Sequence, residues 1–155
     1  MQPLSYAVDL TQKLIRCRSV TPAEGGALDL LEAELNGLGF SCERLPFGTG
    51  DARIDNLYAR IGTMGPHFAF AGHTDVVPPG NTSSWRHDAF GGAIKDGSIY
   101  GRGAADMKGG IAAFVGACKI YLDSVKLQGS ISLIITGDEE ADAVNGTVKM
   151  VEWLE

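Results

Sequence analysis

The stretch Ile131-Ser-Leu-Ile-Ile-Thr-Gly-Asp-Glu-Glu140 decides the fold. Residues Ile131 to Thr136 are a short apolar run of the kind a buried strand requires. Four acids, Asp138, Glu139, Glu140 and Asp142, follow at once, so carboxylates gather at that strand's C-terminal end. Ligand sites of open α/β sheets lie beyond the carboxyl ends of their strands. A solvated acidic loop is the alternative, but a loop set on a buried strand end is harder to dismiss than a surface charge run.

Outward from this strand, helix and strand signals are interleaved. Upstream, Met107 to about Leu122 has a helical pattern opened by small residues. Ala93 to Tyr100 holds Lys95-Asp96-Gly97-Ser98, and Asp-Gly is a strong hairpin signal. Phe68 to the region of His73 is a nearly continuous apolar run, expected to be a strand covered on both faces. Asn56 to Ile61 and Phe40 to Leu45 read as further strands. Ala27 to Leu38 reads as a helix with Gly39 in the left-handed position past its end. Leu4 to Cys17 reads as an amphipathic helix whose stripe is Leu4, Ala7, Val8, Leu10, Leu14 and Ile15, and Ser19 to Gly26 breaks it with proline and glycine. Downstream, Asn145 to Glu155 begins another helix. Interleaved strands and helices imply an α/β architecture, with a mainly parallel sheet flanked by helices. Val148, Val151, Trp153 and Leu154 are apolar at helical spacing and run to the last residue without a cap, so the chain reads as truncated.

The 155 residues suffice for one domain with a hydrophobic core. Of the 21 glycines, just over half fall between Gly62 and Gly110, which places the demanding backbone mid-chain. A net charge of −6 without basic clusters argues against nucleic acid or an anionic membrane as partner. A small anionic substrate stays possible, because a bound metal reverses the local field. Cys17, Cys42 and Cys118 are odd in number and lack CxxC spacing, so they read as free structural thiols. The Met1 to Tyr6 opening lacks the basic and apolar regions of a secretory signal, and no apolar run approaches a membrane span, so a cytoplasmic setting is expected.

Two further polar clusters join the acidic loop. In Gly72-His73-Thr74-Asp75-Val76-Val77-Pro78-Pro79-Gly80, residues two apart share a side of an extended backbone. Asp75 can therefore accept a hydrogen bond from one ring nitrogen of His73 and leave the other as an oriented metal ligand. A histidine held in a polar turn is the competing reading. In Gly101-Arg102-Gly103-Ala104-Ala105-Asp106-Met107-Lys108-Gly109-Gly110, small residues permit close approach and Asp106 sits at the tip. Asp106 could simply cap the following helix. The segment lacks Gly-Lys-Ser/Thr and has a misplaced third glycine, so it fits neither phosphate nor dinucleotide loops. One His, one Asp and one Glu at strand ends form a nitrogen/oxygen set suited to zinc. A carboxylate such as Asp106 can bridge two metals, and Glu139 beside Glu140 can take a proton from metal-bound water.

These clusters resemble the zinc metallopeptidase family that contains the aminoacylases, acetylornithine deacetylase and succinyl-diaminopimelate desuccinylase. GHTDVVPPG, the Trp85 to Phe90 segment, KDGSIYGRGAADMKGG and TGDEEADAVNGT look most like the desuccinylase branch. The resemblance covers almost the whole chain and implies the N-terminal part of a catalytic domain, without the dimerisation domain or the C-terminal part. It implies that His73, Asp106 and Glu140 bind metal, with Asp106 bridging two zinc ions and a cis peptide between Asp106 and Met107. It gives Asp75 the role of orienting His73, and Glu139 that of general base. It implies zinc as the metal, with cobalt as a substitute. The implied substrate is a succinylated amino acid, N-succinyl-LL-diaminopimelate, hydrolysed to succinate and LL-diaminopimelate on the route to lysine. The family needs a further carboxylate and a second histidine beyond residue 155; His67 and His87 match neither. The chain alone is therefore expected to be inactive and to bind zinc weakly or not at all. The intact enzyme is expected to be a homodimer, and this chain to self-associate. Acetylornithine deacetylase, a dipeptidase of the same family and a non-catalytic binding domain are the competing readings.

Overall fold

A computed structural model describes residues 3–155. The readings of Met1, Gln2 and the Leu4 side chain lie outside the described residues. The chain begins with two helices, α1 (Pro3–Arg16) and α2 (Ala27–Gly37). Strands β1 (Ser41–Phe47), β2 (Ile54–Ile61) and β3 (His67–His73) follow, then the small hairpin β4 (Ala93–Lys95) and β5 (Ser98–Tyr100). Helix α3 (Gly109–Ser124), strand β6 (Ser130–Thr136) and helix α4 (Thr147–Leu154) complete it.

The α/β expectation holds, but the sheet is mixed rather than mainly parallel. Its order is β1-β2-β6-β3; β1–β2 and β2–β6 are antiparallel, and only β3–β6 is parallel. The reason is local. No α-helix separates β1, β2 and β3, so β1 and β2 join through a short connection, holding only the 3-10 turn Gly50–Ala52, that only an antiparallel pair allows. The one helical crossover, α3, lies between β3 and β6, and that is the parallel pair.

Helices α1, α2 and α3 pack on one sheet face, and α4 reaches the other, where Trp153 meets Tyr58 of β2 edge to face. Leu10 and Leu14 of α1, Leu28, Leu31 and Leu35 of α2, and Ile111 and Val115 of α3 meet Leu57 and Ala59 of β2 and Leu133 and Ile135 of β6. The alternation of β6 sends Leu133 and Ile135 into this layer and Ser132, Ile134 and Thr136 to the other face. A second expectation fails at β3. It is an edge strand, and Phe68 is 61% exposed although its ring and that of Phe70 stack on Phe114 of α3. An apolar run alone does not distinguish a central strand from an edge strand covered by one helix.

Several local readings hold. Gly39 has φ +88° past the end of α2, and Asp96-Gly97 turns the β4–β5 hairpin with both φ values positive. All three cysteines are free, with Cys118 buried and Cys17 one residue past α1. Met150 of α4 is buried, whereas Val148, Val151, Trp153 and Leu154 are exposed. Among the described residues no helix is long and apolar enough to cross a membrane.

Candidate metal centre

The register of β3 against β6 builds the site. His73 and Thr136 are partners in the parallel ladder, and each ends its strand. Parallel neighbours bring their carboxyl ends to the same edge, so the histidine and the acidic loop meet there. The segment after β3 is pinned by a bridge between Val76 and Val20 and by Ser19, whose hydroxyl donates to the Thr74 carbonyl at 2.6 Å.

Asp75 connects the two strand ends. His73 Nδ1 lies 3.0 Å from the Asp75 carbonyl and 3.3 Å from its Oδ1. The same carboxylate accepts the backbone N–H groups of Glu139 at 3.3 Å and Glu140 at 3.0 Å. Burial alone would raise the pKa of Asp75, but His73 and these two donors outweigh it and hold the group below its usual value. In return, the hydrogen bond to Asp75 lifts His73 to about 9, against the opposing effect of burial, and Asp106 adds to the rise. A metal ion at His73 must therefore displace a proton.

Asp106 does not cap α3. The turn Ala104–Lys108 leaves helical geometry at Asp106 and Met107, and the cap position of α3 falls on Lys108 without a side-chain cap bond. The Asp106–Met107 peptide is cis. The Asp106 side chain is 77% exposed and puts Oδ1 3.1 Å from His73 Nε2. Gly103 lets this turn lie close to its neighbours: its φ is +78°, and a Cβ there would stand 2.6 Å from Val76 Cγ1.

The result is a cleft of ≈ 290 Å³ lined in part by His73, Asp106, Met107, Thr136, Glu139 and Thr147. His73 Nε2 is 3.6 Å from Glu139 Oε2. Ligand atoms of His73, Glu139 and Glu140 all lie within 4.8 Å of one another, which makes them a candidate cation-binding group. The donor set fits a divalent metal: one imidazole nitrogen is committed to Asp75, the other faces carboxylates, and the remaining donors are oxygens. Asp138 stands apart, its carboxylate accepting from Val144 and Asn145 N–H at 2.8 and 3.0 Å. His67 instead pairs with Ser132 at 2.9 Å, and the His87 ring meets Tyr100 edge to face.

Two buried polar residues escaped the sequence reading. Asn56, fully buried, donates to the carbonyls of Leu45 and Asn145 at 3.0 Å each and accepts from Gly137 N–H at 3.3 Å. It thereby holds the start of the acidic loop against β1 and the entry to α4. An asparagine inside a strand pattern, where the type is depleted, was the available signal. Lys108, also fully buried, left no such signal, since a lysine opening a helix normally reaches water.

Peptidase family M20/M25/M40 matches residues 69–155. A Rhodospirillum centenum protein named succinyl-diaminopimelate desuccinylase is 59% identical over 149 residues, 95% of this chain and 39% of that protein. A Rhodopseudomonas palustris protein of the same name is 59% identical over 150 residues, with the same coverage of each. The chain thus spans about two fifths of the length of the curated relatives it matches. Among solved structures, human carnosine dipeptidase 1 superposes with a TM-score of 0.80 at 25% identity, over 96% of this chain and 35% of that one. An M20 family metallo-carboxypeptidase from Sulfolobus solfataricus gives 0.77 at 25%, over 94% and 32%.

Proposed function

The chain belongs to peptidase family M20/M25/M40, and from that premise we propose that it is the N-terminal part of the catalytic domain of a zinc-dependent amidohydrolase. Its substrate in this reading is N-succinyl-LL-diaminopimelate, which water cleaves at the amide to succinate and LL-diaminopimelate. The observation that carries the reading is the disposition of His73: Nδ1 is held by Asp75 while Nε2 faces Asp106 and Glu139. The 59% identity to two proteins named for this desuccinylation supports the substrate.

His73, Asp106 and Glu140 would hold the metal, Asp106 with two oxygens for two ions. Two zinc ions, with cobalt able to substitute, would supply charge to polarise the amide carbonyl and to acidify water. Asp75 fixes the ring of His73 and, through the Glu139 and Glu140 N–H groups, the start of the acidic loop. Glu139 is 55% exposed on its side chain and free to move a proton, taking it from the attacking water and passing it to the departing amine. The remaining length of the relatives would carry the dimerisation domain and the rest of the catalytic domain, so this chain alone is expected to be inactive.

A dipeptidase reading draws on the superposition with carnosine dipeptidase 1, but that likeness is at 25% identity. The test is an assay of a protein of the relatives' full length carrying this sequence, offered N-succinyl-LL-diaminopimelate, N-acetylornithine and a dipeptide. Succinate release with at least a 100-fold preference in kcat/KM is expected. Faster cleavage of either competitor would overturn the substrate assignment and leave the metal chemistry standing.

A further inference from the structure

Lys108 is the largest wholly buried side chain among the described residues, and it is a cation. Its ammonium donates to the Cys17 carbonyl at 2.8 Å, just past the C-terminus of α1. A side-chain ammonium has three donors, and among the described residues this carbonyl is its one hydrogen-bond acceptor. A lysine taken out of water with one acceptor is a poor device for stability, since an apolar chain of similar length would fill the space without the desolvation cost.

The position of this residue suggests another purpose. Lys108 ends the turn that carries Asp106, and its own N–H closes that turn onto the Gly103 carbonyl at 2.9 Å. Its stem passes under Gly103, where a Cβ would meet Lys108 Cδ at 3.2 Å and Val76 Cγ1 at 2.6 Å. Cys17 accepts from Ser19 N–H, and Ser19 in turn holds Thr74 and Val76. One buried side chain therefore joins the Asp106 turn to the end of α1, which Ser19 in turn links to the segment that carries His73 and Asp75.

We propose that Lys108 is a positioning residue of the metal centre, tying the Asp106 turn to the end of α1 and retained for that geometry at the expense of stability. The inference rests on the assignment of Asp106 to the metal centre. It is tested on the metal-free chain, by thermal unfolding together with amide hydrogen exchange, for the wild type, Lys108→Met and Lys108→Gln. Both variants lose the tie, one with an apolar and one with a polar replacement. The expected result is a Lys108→Met variant that melts at or above the wild-type temperature. Its amides of Ala104, Lys108 and Ser19 exchange at least tenfold faster, and those of α1 and β6 are unchanged. Lys108→Gln is expected to show the same local exchange with a lower melting temperature, because it buries an unpaired amide. Unchanged exchange at those three amides in both variants would overturn the proposal. So would a uniform rise across the chain with a matching fall in melting temperature, which marks an ordinary structural role. Zinc titration of a protein of the relatives' full length carrying this sequence separates the two readings: a wild type that binds no zinc there counts against the metal assignment, while the exchange comparison still decides the role of Lys108.

Discussion

His73 shows how one residue couples folding to chemistry. Its imidazolium is stabilised first by the Asp75 hydrogen bond and then by Asp106, which places its pKa at about 9 in the metal-free fold against 6.5 for the unfolded chain. The folded pKa is raised, so the stabilisation is fully present below about pH 6.5 and is lost as pH rises through about 9. The span between those values corresponds to at most about 3 kcal/mol. Denaturant unfolding of the metal-free chain at pH 6 and pH 9 is therefore expected to show a fall in stability of that order, absent in His73→Gln. An equal fall in the variant would place the pH dependence elsewhere. The same proton competes with a metal for Nε2, so affinity for zinc is expected to rise over the same window.

At the scale of elements, the site depends on two strand ends brought together and on what pins them. The sequence made the strand at Ile131 to Thr136, the acidic loop after it and the His73-x-Asp75 pair legible, because apolar runs and same-side spacing are local properties. Asp106 was legible as a polar tip in a small-residue turn, though not its choice between capping α3 and facing His73; only the departure from helical geometry at Asp106 and Met107 decides that. The antiparallel pairing of β2 with β6 and the exposed edge of β3 were not legible, since both depend on which strands become neighbours across long separations. Nor was Asn56, whose partners lie 11, 89 and 81 residues away. Replacing it with alanine strands one N–H and two carbonyls in a buried setting. Asn56→Ala is expected to cost about 2–3 kcal/mol in denaturant unfolding. A loss below about 0.5 kcal/mol would show that water or relaxation satisfies those groups.

At the scale of the whole molecule, α1, α2 and α3 cover one face of the sheet and α4 reaches the other, where Trp153 meets Tyr58, while Val148, Val151 and Leu154 of α4 stay in contact with solvent. Adjacent apolar side chains on one helix favour association. The chain is expected to self-associate as its concentration rises, and Val151→Lys with Leu154→Lys is expected to return it to a monomer. A wild type that stays monomeric in light scattering across the concentration range contradicts that expectation.

The most direct test of the metal-centre account compares wild type, His73→Ala and Glu139→Gln in a protein of the relatives' full length, measuring bound zinc and succinate release from N-succinyl-LL-diaminopimelate. His73 is assigned to holding the metal and Glu139 to moving the proton, and losing a general base costs on the order of 10²–10⁴ in rate. The account predicts that Glu139→Gln keeps its zinc and loses at least 100-fold in kcat, whereas His73→Ala loses zinc and activity together. Full zinc in His73→Ala, or wild-type turnover by Glu139→Gln, would contradict it.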